Sequence, residues 1–185
     1  DIRVETVGIP FKGNLVKIAD DGEILIKGEN VMLGYWKNLE ETNKVLKDGW
    51  LYTGDIGEFD GRYLKITDRK KDIIITPGGD NISPIKIEND LNKIDFIDQS
   101  LVYGDSKPYL VSLIVLNKEH KSIEKKIIQG EIEKINKNLT KIEKIKKFII
   151  INDQFTIENG MMTPTLKLKR YKIIKKYKLE LEKLF

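Results

Sequence analysis

The sequence predicts an α+β protein: a β-rich first part over residues 1–70, then residues 71–185, in which a short sheet is flanked by helices. Three observations lead there. Two turn signals, Asp20-Asp21-Gly22 and Asp60-Gly61, each separate short alternating runs, the pattern of hairpins. After Asp72 the patterning changes, and apolar runs of strand length begin to alternate with stretches spaced for helices. Ser83-Pro84 supplies a helix start, with Ser accepting from an orphan N–H and Pro preset for the first turn.

Taken in order, residues 15–18 and 23–27 read as strands around the first turn signal, and residues 40–46 as a short helix. Residues 56–59 and 62–66 flank Asp60-Gly61 as a second hairpin, and such closely spaced strands suit a small barrel or hairpin sheet. Ile73-Ile74-Ile75 reads as a buried strand, residues 84–91 as a helix, and residues 101–103 and 110–115 as further strands. A long helical region from Glu119 is expected to break near Gly130. Residues 148–151 form a last strand, and Tyr171, Ile174, Leu181 and Leu184 one face of a terminal helix. Ile128, Ile132, Ile135, Leu139 and Ile142 repeat at 4-3-4-3 spacing. Such a run forms either a coiled-coil seam or, as its shortness favours, a helix face packed on the chain's own sheet.

Composition bounds the function. At 185 residues, 40% of them hydrophobic, the chain can bury a core in one domain or two small ones. It has no cysteine, which excludes a disulfide framework and thiolate metal ligation and agrees with a reducing compartment. No apolar run reaches the roughly 18 residues of a membrane-spanning helix, and no signal-peptide pattern is present. The chain opens on Asp1 in mid-phrase, so it is expected to be cut from a longer protein. The formal net charge is +4, yet of 33 basic residues only Arg3, Arg62, Arg69 and Arg170 are arginine. Phosphate readers lean on arginine forks, so no nucleic-acid partner is expected. Lysines interleaved with Ile and Asn read as compositional bias, with a basic face for anionic lipid as the alternative.

Few residues offer chemistry. His120 is the only histidine, set among lysines at a helix start, and reads as exposed and non-functional. Asp55 follows Gly54. A carboxylate held at such a turn accepts from two vicinal hydroxyls at once, each charge-assisted bond worth roughly 1.5–3 kcal/mol. The competing reading is a turn aspartate bonding its own backbone. Arg69, after a strand, offers a planar fork for ribose or phosphate oxygens, or else is a surface arginine. Gly78-Gly79 lets backbone N–H groups approach a ligand closely, or else makes a tight turn; no Gly-Lys-Ser/Thr follows, so it is not a P-loop. Lys167, in the run 163–170, carries a flexible ammonium able to neutralise charge as a carboxylate attacks phosphorus.

The ordered set is specific where each motif is weak. Gly22-Glu23-Ile24-Leu25-Ile26-Lys27-Gly28 with Gly34-Tyr35-Trp36, then Tyr52-Thr53-Gly54-Asp55, Asp68-Arg69 with Lys71, and residues 79–88 follow one another at characteristic spacing. Together they resemble the C-terminal signature of the adenylate-forming enzymes, specifically the acyl-CoA synthetases. Tyr103-Gly104-Asp105 and residues 159–167 resemble the long-chain branch, in which Leu166 stands where many members carry Gly.

The resemblance implies the tail of the AMP-binding large domain (1–70) joined to a mobile lid domain (71–185). It assigns Asp55 to the AMP ribose and Arg69 to the nucleotide. Lys71 becomes the hinge, Gly78 and Gly79 line the path of CoA, and Lys167 is the catalytic lysine, with Lys169 and Arg170 leaving its register open. The partners implied are a fatty acid, ATP and CoA in the whole enzyme, with Mg2+ held by residues outside this chain and no metal ligand within it. The location implied is the cytoplasm or the cytoplasmic face of a membrane, with peripheral membrane association left open. The fragment alone is expected to be inactive. An aryl or amino-acid adenylating ligase, a non-catalytic lid-fold module and a lysine-rich helical adaptor are the other readings.

Overall fold

The computed structural model describes residues 3–185. Their contacts divide the chain into two compact units, Asp1–Lys71 and Asp72–Phe185. The first is a five-stranded antiparallel sheet. Strand β1 (Leu15–Ile18) pairs with β2 (Glu23–Lys27), which pairs with β4 (Trp50–Asp60); β4 also pairs with β3 (Leu46–Lys47) and β5 (Tyr63–Arg69). A short helix α1 (Leu39–Val45) precedes β3, capped by the Asn38 side chain accepting from the Glu41 N–H. The hairpin at Asp60-Gly61 forms as expected, but its strands run longer than the alternation suggests, and β4 reaches back to Trp50.

That extension corrects the local setting of Asp55, which sits within a strand rather than at a free turn. The β2–β4 pairing jumps from Glu23↔Ile56 to Leu25↔Tyr52, so β4 carries a bulge across residues 53–55. Gly54 takes φ +71° there, a left-handed conformation open to glycine at no steric cost. A glycine in an alternating run signals a bulge as readily as a turn.

The second unit is built on a three-stranded sheet in the order β10 (Ile145–Ile151), β9 (Leu110–Leu116), β8 (Ile97–Tyr103), with β10 parallel and β8 antiparallel to β9. Every residue of β9 is buried, because helices cover both faces. On one face Leu110, Ile114 and Leu116 pack with Ile87 and Leu91 of α2 (Pro84–Leu91) and Ile128 and Ile132 of α3 (Lys125–Asn138). On the other, Val111, Leu113 and Val115 pack with Ile173, Tyr177 and Leu181 of α4 (Arg170–Lys176), α5 (Lys178–Glu182) and the residue joining them. The alternation of β9 between two cores is the period-2 rule acting on a fully buried strand. Ser83 caps α2, accepting from the Lys86 N–H, with Pro84 in its first turn.

Three expectations are corrected here, and one is met in part. Residues 73–75 do not enter the main sheet: β6 (Ile74–Ile75) pairs only with β7 (Asn81–Ile82), a two-residue hairpin around the glycine pair. The helix does not break at Gly130; α3 runs through it, anchored on either side by buried Ile128 and Ile132, while the true interruption lies between the 3-10 turn Lys118–His120 and Lys125. The 4-3-4-3 run packs inward, as its shortness favours, with Ile128, Ile132 and Leu139 buried in one cluster, although Leu139 and Ile142 fall beyond the end of α3. The terminal helix buries Ile173, Tyr177 and Leu181, spaced by four, whereas Tyr171 is exposed. His120 is exposed, with the Phe96 ring 6.5 Å away.

Candidate functional site

In the first unit, β4 and β5 set Asp55 directly opposite Arg69. Arg69 Nε lies 2.7 Å from Asp55 Oδ1, the carboxylate one-fifth and the guanidinium about half exposed. The Asp55 N–H donates to Thr53 Oγ1, and the Thr53 hydroxyl donates to the Ile24 carbonyl, which ties down the bulge. This pair lies on a cleft of about 560 Å3 that Tyr35, Lys44, Lys47 and Tyr52 also line. A carboxylate with only one oxygen engaged by its arginine keeps acceptor capacity facing the cleft. Aromatic faces and cations around it suit a nucleoside phosphate.

Glu23, in the glycine-spaced segment but not singled out in the sequence, is a buried group of this region. Its Oε1 accepts from the Gly54 N–H at 2.8 Å and its Oε2 from Lys70 Nζ at 2.9 Å. Lys70 also reaches Asp21 Oδ2 at 2.6 Å. The Asp21 carboxylate, followed by Glu23, holds the Lys70 ammonium above its ordinary pKa, and Lys70 holds Asp21 below its own. Lys71 is exposed, in the 3-10 turn Lys70–Asp72 at the boundary between the units.

In the second unit the glycine pair lies in the β6–β7 hairpin. Thr76 and Asp80 close it through Thr76 N–H to Asp80 O at 3.0 Å and Thr76 Oγ1 to Asp80 Oδ2 at 3.0 Å. Gly79 takes φ +87° with open space where a Cβ would lie, so backbone conformation, not crowding, requires glycine there. The Asp105 carboxylate accepts from the Ile75 N–H at 3.0 Å, which gives Tyr103-Gly104-Asp105 a structural role under the loop. A cleft of about 560 Å3 beside the loop is also lined by Lys107, Lys141 and Lys146.

Lys167 lies on a separate loop, a tight turn closed by the Met162↔Leu168 bridge. Its backbone N–H donates to Thr163 Oγ1, and its carbonyl accepts from the Thr163 N–H. Leu166 takes φ +60°, a left-handed conformation unusual for a branched side chain, and the physical reason a glycine suits this position. Lys167 is exposed. Arg170, by contrast, is buried: its NH1 lies 2.6 Å from Glu88 Oε1 and its NH2 2.5 Å from the Val102 carbonyl, while Glu88 also accepts from the Val102 N–H at 2.6 Å. Arg170 is thereby committed to the interior, which leaves Lys167 and Lys169 as the cations of the run nearer the surface. One buried pair thus joins the helix after the glycine hairpin to the helix after the Lys167 turn. As one of four arginines, Arg170 carried a faint signal in the sequence; Glu88 carried none beyond its place in the motif.

Among the described residues no group of three or more His, Cys, Asp or Glu side chains is placed to hold a metal ion. Nor, among the described residues, is any helix long and apolar enough to cross a membrane.

Residues 71–185 match the family model of the AMP-binding enzyme C-terminal domain. Among curated proteins, the chain is 35% identical over its whole length to the long-chain-fatty-acid–CoA ligase FadD15 of Mycobacterium tuberculosis, covering 34% of that protein. It is 36% identical to rat long-chain-fatty-acid–CoA ligase 5, with 97% of this chain and 31% of that one aligned. The chain thus spans about a third of the length of these relatives. Among solved structures, the A domain of a carboxylic acid reductase from Segniliparus rugosus, in complex with AMP and a co-purified carboxylic acid, superimposes with a TM-score of 0.83. It is 27% identical, over 95% of this chain and 32% of that one.

Proposed function

The chain belongs to the family of AMP-binding enzyme C-terminal domains, and we propose that it is the C-terminal third of a long-chain fatty acid–CoA ligase. In this reading residues 1–70 complete the nucleotide-binding domain and residues 71–185 are its lid. The observation that carries it is the Asp55–Arg69 pair on its cleft, an acceptor for a ribose diol backed by a cation. The match to ligases named for long-chain fatty acids along the whole chain supports the substrate.

Two half-reactions follow. A fatty carboxylate oxygen attacks the α-phosphorus of ATP, forming acyl-AMP and releasing pyrophosphate. The CoA thiol, losing its proton, then attacks the acyl carbon and releases AMP. Asp55 holds the ribose hydroxyls and Arg69 steadies both carboxylate and nucleotide. Lys167 neutralises charge building on the phosphoryl oxygens in the first step. Its exposure on a turn held from beneath suits a group that must enter one site and leave it. The lid turns at Lys71, and the glycine hairpin then flanks the incoming thiol with backbone N–H groups rather than side chains. Mg2+ would accompany ATP, held by residues outside this chain. Catalysis is assigned to the cytoplasm or its membrane face.

Pyrophosphate exchange by the whole enzyme, across a panel of carboxylic acids, tests this reading. Exchange strongest with long-chain fatty acids is expected. Exchange confined to aryl or amino acids moves the protein to another adenylate-forming ligase, a reading that the carboxylic acid reductase likeness keeps in view. No exchange with any acid, from a folded enzyme, overturns both in favour of a non-catalytic module.

A further inference from the structure

The geometry points to Glu23 as a positioning residue that couples nucleotide occupancy at Asp55 to the hinge. What Asp55 and Lys71 do is taken from the reading above, but the contacts of Glu23 stand without it. Glu23 is 4% exposed, and its two oxygens serve different places. One accepts from the N–H of Gly54, the residue before Asp55, inside the bulge; the other accepts from Lys70, the residue before Lys71 and after Arg69. A single buried carboxylate therefore binds residues 31 and 47 positions further along the chain, the neighbours of both proposed working residues.

The bulge gives this contact its leverage. Gly54 at φ +71° turns its N–H into Glu23, and Asp55 follows on the same few bonds, so displacing Glu23 re-aims the Asp55 carboxylate. At the other end, Lys70 is held by Glu23 and Asp21 together, 2.9 and 2.6 Å away. That grip anchors the last turn before the unit boundary, so rotation starts at Lys71 and not earlier. A ligand that draws Asp55 toward its ribose pulls on the bulge, and through Glu23 on Lys70. Coupling of this kind is reciprocal: whatever loosens Lys70 must change nucleotide affinity by the same factor.

Three variants of the whole enzyme test this: Glu23→Gln, Lys70→Met and, as a control on the same sheet, Lys65→Met, whose surface pair with Glu5 touches neither site. Glu23→Gln keeps an oxygen for the Gly54 N–H but loses the charge facing Lys70. We expect Glu23→Gln and Lys70→Met each to slow thioester formation from preformed acyl-AMP about tenfold and to weaken ATP binding about fivefold, the latter within the range of such binding couplings. The double variant should be no worse than either single one, and Lys65→Met unchanged. Equal losses in both half-reactions that track the loss of melting temperature, or additive losses in the double variant, would overturn the coupling. A readout independent of catalysis is the amide resonance of Gly54 in the 185-residue chain. It should move on Lys70→Met and stay on Lys65→Met. If it stays in both while Asp55→Ala abolishes adenylation, the coupling fails and the ligase reading survives. If it moves while Asp55→Ala leaves adenylation intact, the linkage of Gly54 to Lys70 stands, but Asp55 is not the ribose acceptor and the functional coupling falls with it.

Discussion

The two units hold their working residues by opposite means. In the first, the network around Asp55 is half in solvent: Arg69, Lys70 and Asp21 are each about half exposed, and Glu23 is its buried anchor. In the second, the Glu88–Arg170 pair is below ten per cent exposed on both sides and takes both the N–H and the carbonyl of Val102. Exposed pairs are worth about 0.2–1 kcal/mol and exchange partners easily, whereas breaking a buried pair leaves a charge that nothing solvates. The first arrangement suits groups that must trade a protein partner for a ligand. The second suits a rigid body that carries two loops at a fixed spacing.

Breaking the buried pair should have the largest effect. Arg170→Met leaves Glu88 without its cation and is expected to cost the second unit about 3–5 kcal/mol, read as a lowered denaturant midpoint. Combining it with Glu88→Leu removes both charges and should recover part of that loss; a double variant worse than Arg170→Met alone would mean the pair is not the source. Asp55→Ala, its counterpart in the first unit, should change stability by under about 1 kcal/mol, since its partner stays half in water.

A backbone probe comes next. Gly79→Ala meets no neighbouring atom, so only its φ of +87° is penalised, about 1 kcal/mol by thermal unfolding. A cost well above that would show the hairpin is crowded after all.

The smallest expected effect is the pH response of the Lys70–Asp21 pair. Asp21 is held below its ordinary pKa, so its contribution is present above about pH 4 and fades as the pH falls through its lowered value. Lys70 is held above its ordinary pKa, so its contribution is complete below about pH 10 and fades as the pH rises through its raised value. Between those limits the pair's contribution is constant, and Asp21→Asn, which leaves Lys70 to the buried Glu23, should lower stability by less than about 1 kcal/mol, and less again in high salt. A larger change, insensitive to salt, would contradict the half-exposed setting.

Much of this was legible in the sequence where local rules act alone. The hairpin at Asp60-Gly61 and the Ser83-Pro84 helix start depend on turn and cap chemistry within a few residues, and both formed. The bulge at Gly54 and the isolated β6–β7 hairpin were missed because pairing partners lie elsewhere in the chain, and a short apolar run does not say which strand it joins. Gly130 misleads for a related reason: burial of Ile128 and Ile132 outweighs the roughly 1 kcal/mol propensity cost of one glycine in a helix. The motif residues Asp55, Arg69, Gly79 and Lys167 could be named by resemblance. The groups that hold them, Glu23 and Glu88, were invisible, because a buried carboxylate looks like any other Glu until its partners, dozens of residues away, are in view.

The most direct test of the account separates the two half-reactions in the whole enzyme carrying Lys167→Ala. Lys167 is exposed on its turn, so folding should be unaffected, while pyrophosphate exchange falls on the order of 10²–10³-fold, as for loss of one stabilising donor. Thioester formation from supplied acyl-AMP should stay within about twofold, because that step does not use this ammonium. Adenylation at the original rate, or an equal fall in both steps, would contradict the assignment.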